Sequence, residues 1–152
     1  MIVYRNPLPE QMGEVLKLRW NVLRDPNLPM DGTETDMYDT NPMTVHGALF
    51  QIGFGSLLVA TGRIHIPEES PEVRQLRYMA VRPNMSRRGY GAMLLQNMEL
   101  EALSIKAPVA AQRFEANARV SALPFYKELG YSAIGNEFDV VGVRHVKVTK
   151  DT

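Results

Sequence analysis

Residues 81–95, "VRPNMSRRGYGAMLL", join a run of strand character to a run of helical character through two arginines and two glycines. Glycine lacks a Cβ atom, so the backbone N–H groups near Gly89 and Gly91 can approach a ligand closely. A helix that begins here leaves its first N–H groups without intrahelical partners and adds a partial positive charge. The junction therefore predicts an anion site, most often one for phosphate.

This glycine junction matches neither of two common phosphate motifs. A P-loop requires a Gly-Lys pair, which occurs nowhere in the chain. The dinucleotide-binding fingerprint G-x-G-x-x-G would need a third glycine where this chain has Leu94. What remains is a strand, a basic turn and a G-x-G that opens an amphipathic helix.

The composition is that of an ordinary globular protein, and 152 residues with 45% hydrophobic content predict a single domain over residues 1–152. Seventeen basic residues balance seventeen acidic ones, which argues against a nucleic-acid partner. No apolar run approaches the roughly 20 residues that span a bilayer, and "MIVYRNPLPE", residues 1–10, does not show the basic start and apolar middle of a signal peptide. We therefore expect a cytoplasmic protein without membrane partners. The absence of cysteine excludes an acyl-cysteine intermediate and thiolate metal sites, and we expect no metal.

The order of predicted elements is a strand and a helix, a run of strands, and then β-α-β-α-β-β, which indicates a mixed α/β (α+β) domain. Alternation and β-branched content predict strands at residues 1–5, 45–52, 56–66, 73–81, 109–117, 131–135 and 143–150. Helical periodicity predicts helices at residues 11–24, 89–106 and around 122–129, the last ended by Gly130. Residues 25–44 read as a loop with one short helix.

The glycine junction resembles motif A of the GNAT superfamily of acyl-CoA-dependent N-acetyltransferases. That motif is a strand ending in a triplet like L-A-V, then a proline and the loop [QR]-x-x-G-x-[GA]. The triplet here is Met79-Ala80-Val81, the proline is Pro83 and the loop is "SRRGYG", residues 86–91.

The first motif position is Ser86 rather than Gln or Arg, so this side chain departs from the family pattern. The backbone amides are unaffected by this departure, and Arg87 or Arg88 could supply a charge-assisted contact instead.

A second stretch, "NARVSALPFYKELGY" at residues 117–131, is similar to motif B of the family, N-x-x-A-x-x-F-Y-x-x-x-G-[FY]. The spacing from Asn117 to the motif alanine is one residue longer than in the pattern. A third stretch, residues 135–148, is similar to one subset of the family, with Arg144 where that subset has proline. The resemblance covers the last half of the chain in detail. The matching motif B residues are Asn117, Ala122, Phe125, Tyr126, Gly130 and Tyr131.

The resemblance implies a central mixed, mostly antiparallel sheet of about seven strands, flanked by about four helices, with the fourth and fifth strands splayed apart. It also implies that acetyl-CoA is the cosubstrate, with its pyrophosphate across the amides of residues 88–92 and its pantetheine beside Met79 and Val81. The residues expected to bind it are Met79, Ala80, Val81, Arg87, Arg88, Gly89, Tyr90, Gly91, Ala92, Asn117 and Tyr126.

Tyr126 is the expected proton donor to the CoA thiolate that leaves when an amine attacks the thioester. A phenol of pKa about 10 donates to a thiolate of pKa about 8.5 uphill by roughly 2 kcal/mol. Periodicity alone favours a structural core tyrosine, and the Phe-Tyr pair of motif B favours catalysis.

The general base is expected elsewhere, because Gln75 and Arg77 on the fourth strand are not useful bases. His145 and Glu137 are the catalytic candidates suggested by the third stretch, and His65 is a weaker one. A backbone carbonyl acting through water stays open as well.

Residues 25–62 contain no lysine or arginine, and the acceptor site of the family borders this part of the chain. An acidic rim there would steer a cationic amine towards the enzyme, although a solvated loop fits equally well. The acidic residues are Asp25, Asp31, Glu34, Asp36 and Asp39.

The leading hypothesis is an enzyme that moves an acetyl group from acetyl-CoA directly to a primary amine of a small molecule or protein. A non-catalytic acyl-CoA-binding sensor is the alternative, and a phosphate-binding protein unrelated to CoA would leave motif B unexplained. The expected partners are acetyl-CoA and an amine acceptor, with a homodimer retained as an option.

Overall fold

The computed structural model describes residues 1–152 and contains seven strands, three α-helices and four short 3-10 turns. The strands are β1 (Ile2–Arg5), β2 (Val45–Gly53), β3 (Gly55–His65), β4 (Val73–Val81), β5 (Arg113–Arg119), β6 (Ser132–Val140) and β7 (Val143–Asp151). The helices are α1 (Met12–Leu23), α2 (Tyr90–Ser104) and α3 (Leu123–Glu128).

The strands form one sheet in the order β1-β2-β3-β4-β5-β7-β6. β4 and β5 run parallel. Parallel strands require a crossover connection, and α2, which lies between these two strands in the chain, is part of it. Pairs β1/β2, β2/β3, β5/β7 and β6/β7 are antiparallel, which confirms the predicted mixed, mostly antiparallel sheet. Parallel pairing joins residues 73–76 to residues 113–116, and the predicted splay of the two strands stays a prediction.

The chain divides into two compact units. Unit 1 comprises Met1–Ile64 and Tyr78–Ile105, and unit 2 comprises His65–Arg77 and Lys106–Thr152.

The core of unit 1 forms where α1 covers the sheet. Val15 and Leu18 on the helix lie in one buried cluster with Phe50, Leu58 and Ala80 from the strands. The buried apolar residues of α1 recur every three or four positions, because one face of the helix packs against the sheet. This periodicity is what predicted the helix from the sequence.

Two glycines allow α2 to pack closely on β2 and β3 of unit 1. A Cβ atom at Gly47 would collide with the side chain of Met98, and a Cβ atom at Gly62 would lie 2.7 Å from Met98 Cε. Met98 is fully buried, so the missing side chains make room for the core of this unit.

In unit 2, β6 and β7 form a hairpin longer than the one predicted. Val141 and Gly142 both have positive φ, 48° and 76°, as a two-residue type I′ turn requires. β6 therefore continues to Val140 instead of ending at Gly135, and a register irregularity accommodates Gly135. β5 begins at Arg113, four residues later than expected from the sequence.

Candidate active site

The glycine junction lies in unit 1, where β4 leads into α2 through a short 3-10 turn at Pro83–Met85. Gly89 is the N-cap of α2 and has φ of 81°, a left-handed conformation that glycine adopts without steric penalty. Arg87 is also left-handed, with φ of 61°. A bond of 3.1 Å from Met93 N to Gly89 O opens the helix, and no side chain caps it. The N–H groups of the first turn therefore lack intrahelical partners, as an anion site needs.

The side chains of this loop differ in what they contact. Ser86 Oγ donates to the carbonyl of Pro83 at 3.0 Å, so the residue that departs from motif A stabilises the turn itself. Arg88 Nη2 lies 3.4 Å from the carbonyl of Asn84, also within the loop. Arg87 is exposed, which leaves its guanidinium accessible to an anion.

The Met79-Ala80-Val81 triplet forms the end of β4 in unit 1. Ala80 is buried in the core, whereas Met79 and Val81 are half-buried on the other face of the strand. The backbone N–H of Arg82 donates to Val59 O at 2.8 Å, which holds the end of β4 beside β3. The structure thus presents Met79 and Val81 together, and their contact with pantetheine stays a prediction.

Tyr126 lies on α3 in unit 2 and is 8% exposed. Its ring meets Phe125 and Tyr131 edge to face, with centroids 5.1 and 5.6 Å away. Burial raises the pKa of the Tyr126 hydroxyl to about 12. Proton donation to a thiolate of pKa about 8.5 is then uphill by roughly 5 kcal/mol, more than for an unperturbed phenol. Tyr126 remains protonated at neutral pH, as a proton donor must.

The two leading base candidates lie on the β6–β7 hairpin of unit 2. His145 Nδ1 donates to the carbonyl of Val143 at 2.8 Å, and its ring stacks on Phe138 at a centroid distance of 5.9 Å. This bond places the proton on Nδ1, so Nε2 carries the lone pair that could accept a proton. Glu137 accepts from Arg144 at 3.1 and 3.2 Å, so its carboxylate is already engaged.

Two further residues that the sequence predicted for the site lie on other strands. Asn117 is exposed on β5 opposite Lys147 of β7. His65 is 3% exposed at the end of β3, which makes it a poor base for a bound amine.

The sequence analysis did not identify a group of side chains around two buried arginines in unit 1, which we name the arginine cluster: Arg19, Arg63, Asp36, Asp39 and Tyr78. The two arginine side chains have no exposed surface. Arg19 Nη1 lies 3.1 Å from both carboxylate oxygens of Asp39. Arg63 bonds Asp36 through both terminal nitrogens, at 2.6 and 3.0 Å, and reaches Asp39 at 3.0 Å. The cluster ties α1 and β3 to the turn that precedes β2.

Tyr78 is the aromatic member of the arginine cluster. Its ring lies under the guanidinium groups of Arg19 and Arg63, whose Cζ atoms are 4.5 and 5.0 Å from the centroid. Its hydroxyl donates to the carbonyl of Thr33 at 3.2 Å. Tyr78 has φ of 59°, a rare conformation for a bulky residue in a strand, which surrounding contacts must hold in place.

The arginine cluster removes Asp36 and Asp39 from the expected acidic rim, whereas Asp25 and Asp31 are exposed. Burial tends to raise the pKa of Asp39, but hydrogen bonds and charge from Arg19 and then Arg63 outweigh it and hold the pKa low. Asp36 and Asp39 are therefore carboxylates paired with buried arginines rather than free surface charges. The signal was available in part, since Arg19 lies four residues after Val15 on the apolar face of α1.

Comparisons with known proteins identify the family of this chain. Residues 56–152, more than half of the chain, match the family model described as "Acetyltransferase (GNAT) domain". The chain belongs to the GNAT acetyltransferase family.

Solved structures show the same fold at low sequence identity. Escherichia coli ElaA has a TM-score of 0.80 at 17% identity, covering 99% of each chain. An acyl-CoA N-acyltransferase from Pseudomonas aeruginosa has a TM-score of 0.78 at 15% identity, covering 99% of this chain and 98% of the other. N-acetylglutamate synthase from Neisseria gonorrhoeae, solved with coenzyme A and N-acetyl-glutamate, has a TM-score of 0.71 at 15% identity. The match covers 99% of this chain and 35% of the synthase chain.

None of the helices combines the length and apolar character needed to cross a membrane. No group of three or more His, Asp or Glu side chains is arranged to hold a metal ion.

Proposed function

We propose that this protein transfers an acetyl group from acetyl-CoA directly to a primary amine. The observation that carries the proposal is the uncapped start of α2, preceded by Gly89 in a left-handed conformation at the end of a strand–turn segment. The family match over residues 56–152 includes both this loop and Tyr126. Membership in the family supports acetyl transfer, and the loop supports a phosphate-bearing donor.

The loop would hold the pyrophosphate of acetyl-CoA through the amides of residues 88–92. Arg87 is exposed beside them and can add a charge-assisted hydrogen bond. Met79 and Val81 would lie along the pantetheine, whose amides can pair with a strand as a peptide does.

In the proposed reaction the amine nitrogen attacks the thioester carbonyl carbon and the C–S bond breaks. Tyr126 gives its hydroxyl proton to the departing sulfur, so that CoA leaves as the thiol. His145 is proposed to take the surplus amine proton at Nε2, because its Nδ1–H is held by the carbonyl of Val143. Glu137 is the second candidate base, acting through water. No cysteine is present, so transfer proceeds without an acyl-cysteine intermediate.

Initial-rate kinetics test direct transfer. Varying acetyl-CoA at several fixed amine concentrations should give intersecting double-reciprocal lines, since both substrates must be bound together. Parallel lines, or an isolated acyl-protein that passes its acyl group to an amine, would contradict the proposal.

A non-catalytic acyl-CoA sensor is the second candidate. Gln75 and Arg77 of β4 favour it, because neither accepts a proton readily at neutral pH. A sensor would bind acetyl-CoA saturably and release no thiol when amines are added.

A further inference from the structure

The acidic segment, residues 25–44, carries five carboxylates, and neighbouring protein groups engage four of them. Asp25 and Asp31 each accept a backbone N–H at 2.9 Å in local turns. Asp36 and Asp39 lie in the arginine cluster. These four side chains are used to hold the segment together.

Glu34 is different. It is 7% exposed, and its Oε2 atom is buried without a hydrogen-bond partner. A buried carboxylate oxygen that accepts no hydrogen bond is unfavourable, and such groups in native structures call for a partner. A partner that both donates N–H groups and carries positive charge would relieve this best, which describes an alkylammonium group.

The backbone around Glu34 is fixed before any ligand arrives. Arg19 Nη1 donates to the Glu34 carbonyl at 2.9 Å, and the Tyr78 hydroxyl donates to the carbonyl of Thr33. Thr35 N–H donates to Gly32 O at 3.2 Å on the other side. The arginine cluster thus holds the main chain of Glu34 and leaves its Oε2 for another group.

We propose that Glu34 binds a positively charged group of the acceptor, which makes the acceptor a diamine or a similarly dicationic aliphatic amine. Glu34 holds one ammonium group, while the second amine loses its proton and attacks the thioester. The identification of this ligand as the acceptor rests on the proposed acetyl transfer, whereas the binding of a cation at Glu34 does not.

Two probes of matched length test the site by calorimetry in the presence of CoA: 1,5-diaminopentane and 5-aminopentan-1-ol, in which a hydroxyl replaces one ammonium. Wild-type protein should bind the diamine at least about tenfold more tightly, as expected for a hydrogen bond to a charged group. Glu34→Gln should lose this preference while keeping its affinity for CoA and its melting temperature. Asp31→Asn, which alters an exposed carboxylate of the same segment, is the control and should keep the preference.

Equal affinity of wild-type protein for the two probes would overturn the proposal without any variant. So would a diamine affinity unchanged in Glu34→Gln, which would indicate that Glu34 is satisfied internally, for example through water to the buried, unpartnered Arg19 Nε. Acetylation of the diamine is followed in parallel by mass spectrometry. Glu34-dependent binding without acetylation would sink the proposed function and leave this cation site standing. Acetylation with the same KM for the amine in wild type and Glu34→Gln would support the proposed function and overturn the cation site.

Discussion

Arg19 and Asp39 form a buried ion pair in which one guanidinium nitrogen lies 3.1 Å from both carboxylate oxygens. Arg19 is on α1 and Asp39 is in the turn Met37–Thr40, so the pair fixes the acidic segment to the first helix. The pair therefore holds residues 34–39 of the segment against the folded body of unit 1, whereas residues 25–33 are exposed.

Removing one partner of this pair should be strongly destabilising. Arg19→Met leaves Asp39 buried with one arginine fewer, and we expect the free energy of unfolding to fall by about 3 kcal/mol. Arg144→Ala breaks the exposed pair with Glu137 and should lower it by less than about 1 kcal/mol. Urea denaturation measures both variants, and equal small losses would mean that the buried pair contributes no more than a surface one.

His46 should make the stability of the protein depend on pH. Burial lowers the pKa of His46 below its ordinary value of about 6.5, and the charge of Arg19 lowers it further. The hydrogen bond to the Asp39 carbonyl acts in the opposite direction but is a weaker influence than burial. The unfolded chain therefore binds a proton more readily, so stability is retained above about pH 6.5 and declines as the pH falls below it. When the pH is lowered from about 7.5 to about 5.5, the free energy of unfolding should fall less in His46→Gln than in the wild-type protein. Parallel losses in urea titrations at the two pH values would contradict this assignment.

Gly89→Val should abolish acetyl-CoA binding. Valine is strained at the φ of 81° and its branches would project at the uncapped start of α2. Gly142→Val is a matched control, because Gly142 has φ of 76° and open space around it in the β6–β7 turn. Both variants should lose some stability, but only Gly89→Val should lose binding in calorimetry. Retention of wild-type affinity in Gly89→Val would remove this loop from the proposed binding site.

Tyr126→Phe should lower kcat by roughly 10²–10⁴ with little change in the KM for acetyl-CoA, because a proton donor acts in the transition state. The phenyl ring keeps its packing against Phe125 and Tyr131, so the melting temperature should change little. Tyr131→Phe is the control, since it removes a neighbouring hydroxyl that has no proposed role in the chemistry. Normal turnover in Tyr126→Phe would exclude this residue from catalysis.

The sequence predicted the order of strands and helices along the chain and the glycine loop between β4 and α2, because each depends on local signals. Helical periodicity located α1, and Gly89 at the strand–helix junction located the start of α2. These features depend on residues close together in the chain, which a single sequence reveals.

The arginine cluster could not be predicted in the same way. Arg19 and Arg63 are 44 positions apart, and which carboxylates they would engage depends on how α1, β3 and the acidic segment pack. All five acids of that segment looked alike in the sequence. Only packing separates Asp36 and Asp39, which are paired, from Glu34, whose Oε2 is not.

The most direct measurement is amine-dependent release of free thiol from acetyl-CoA by the purified protein, with the product identified by mass spectrometry. The panel includes 1,5-diaminopentane, a lysine-containing peptide and a neutral aromatic amine. We expect thiol release equal to the amount of N-acetylated amine formed, with the diamine among the preferred acceptors. Saturable binding of acetyl-CoA without thiol release for any amine would contradict it and identify a sensor instead.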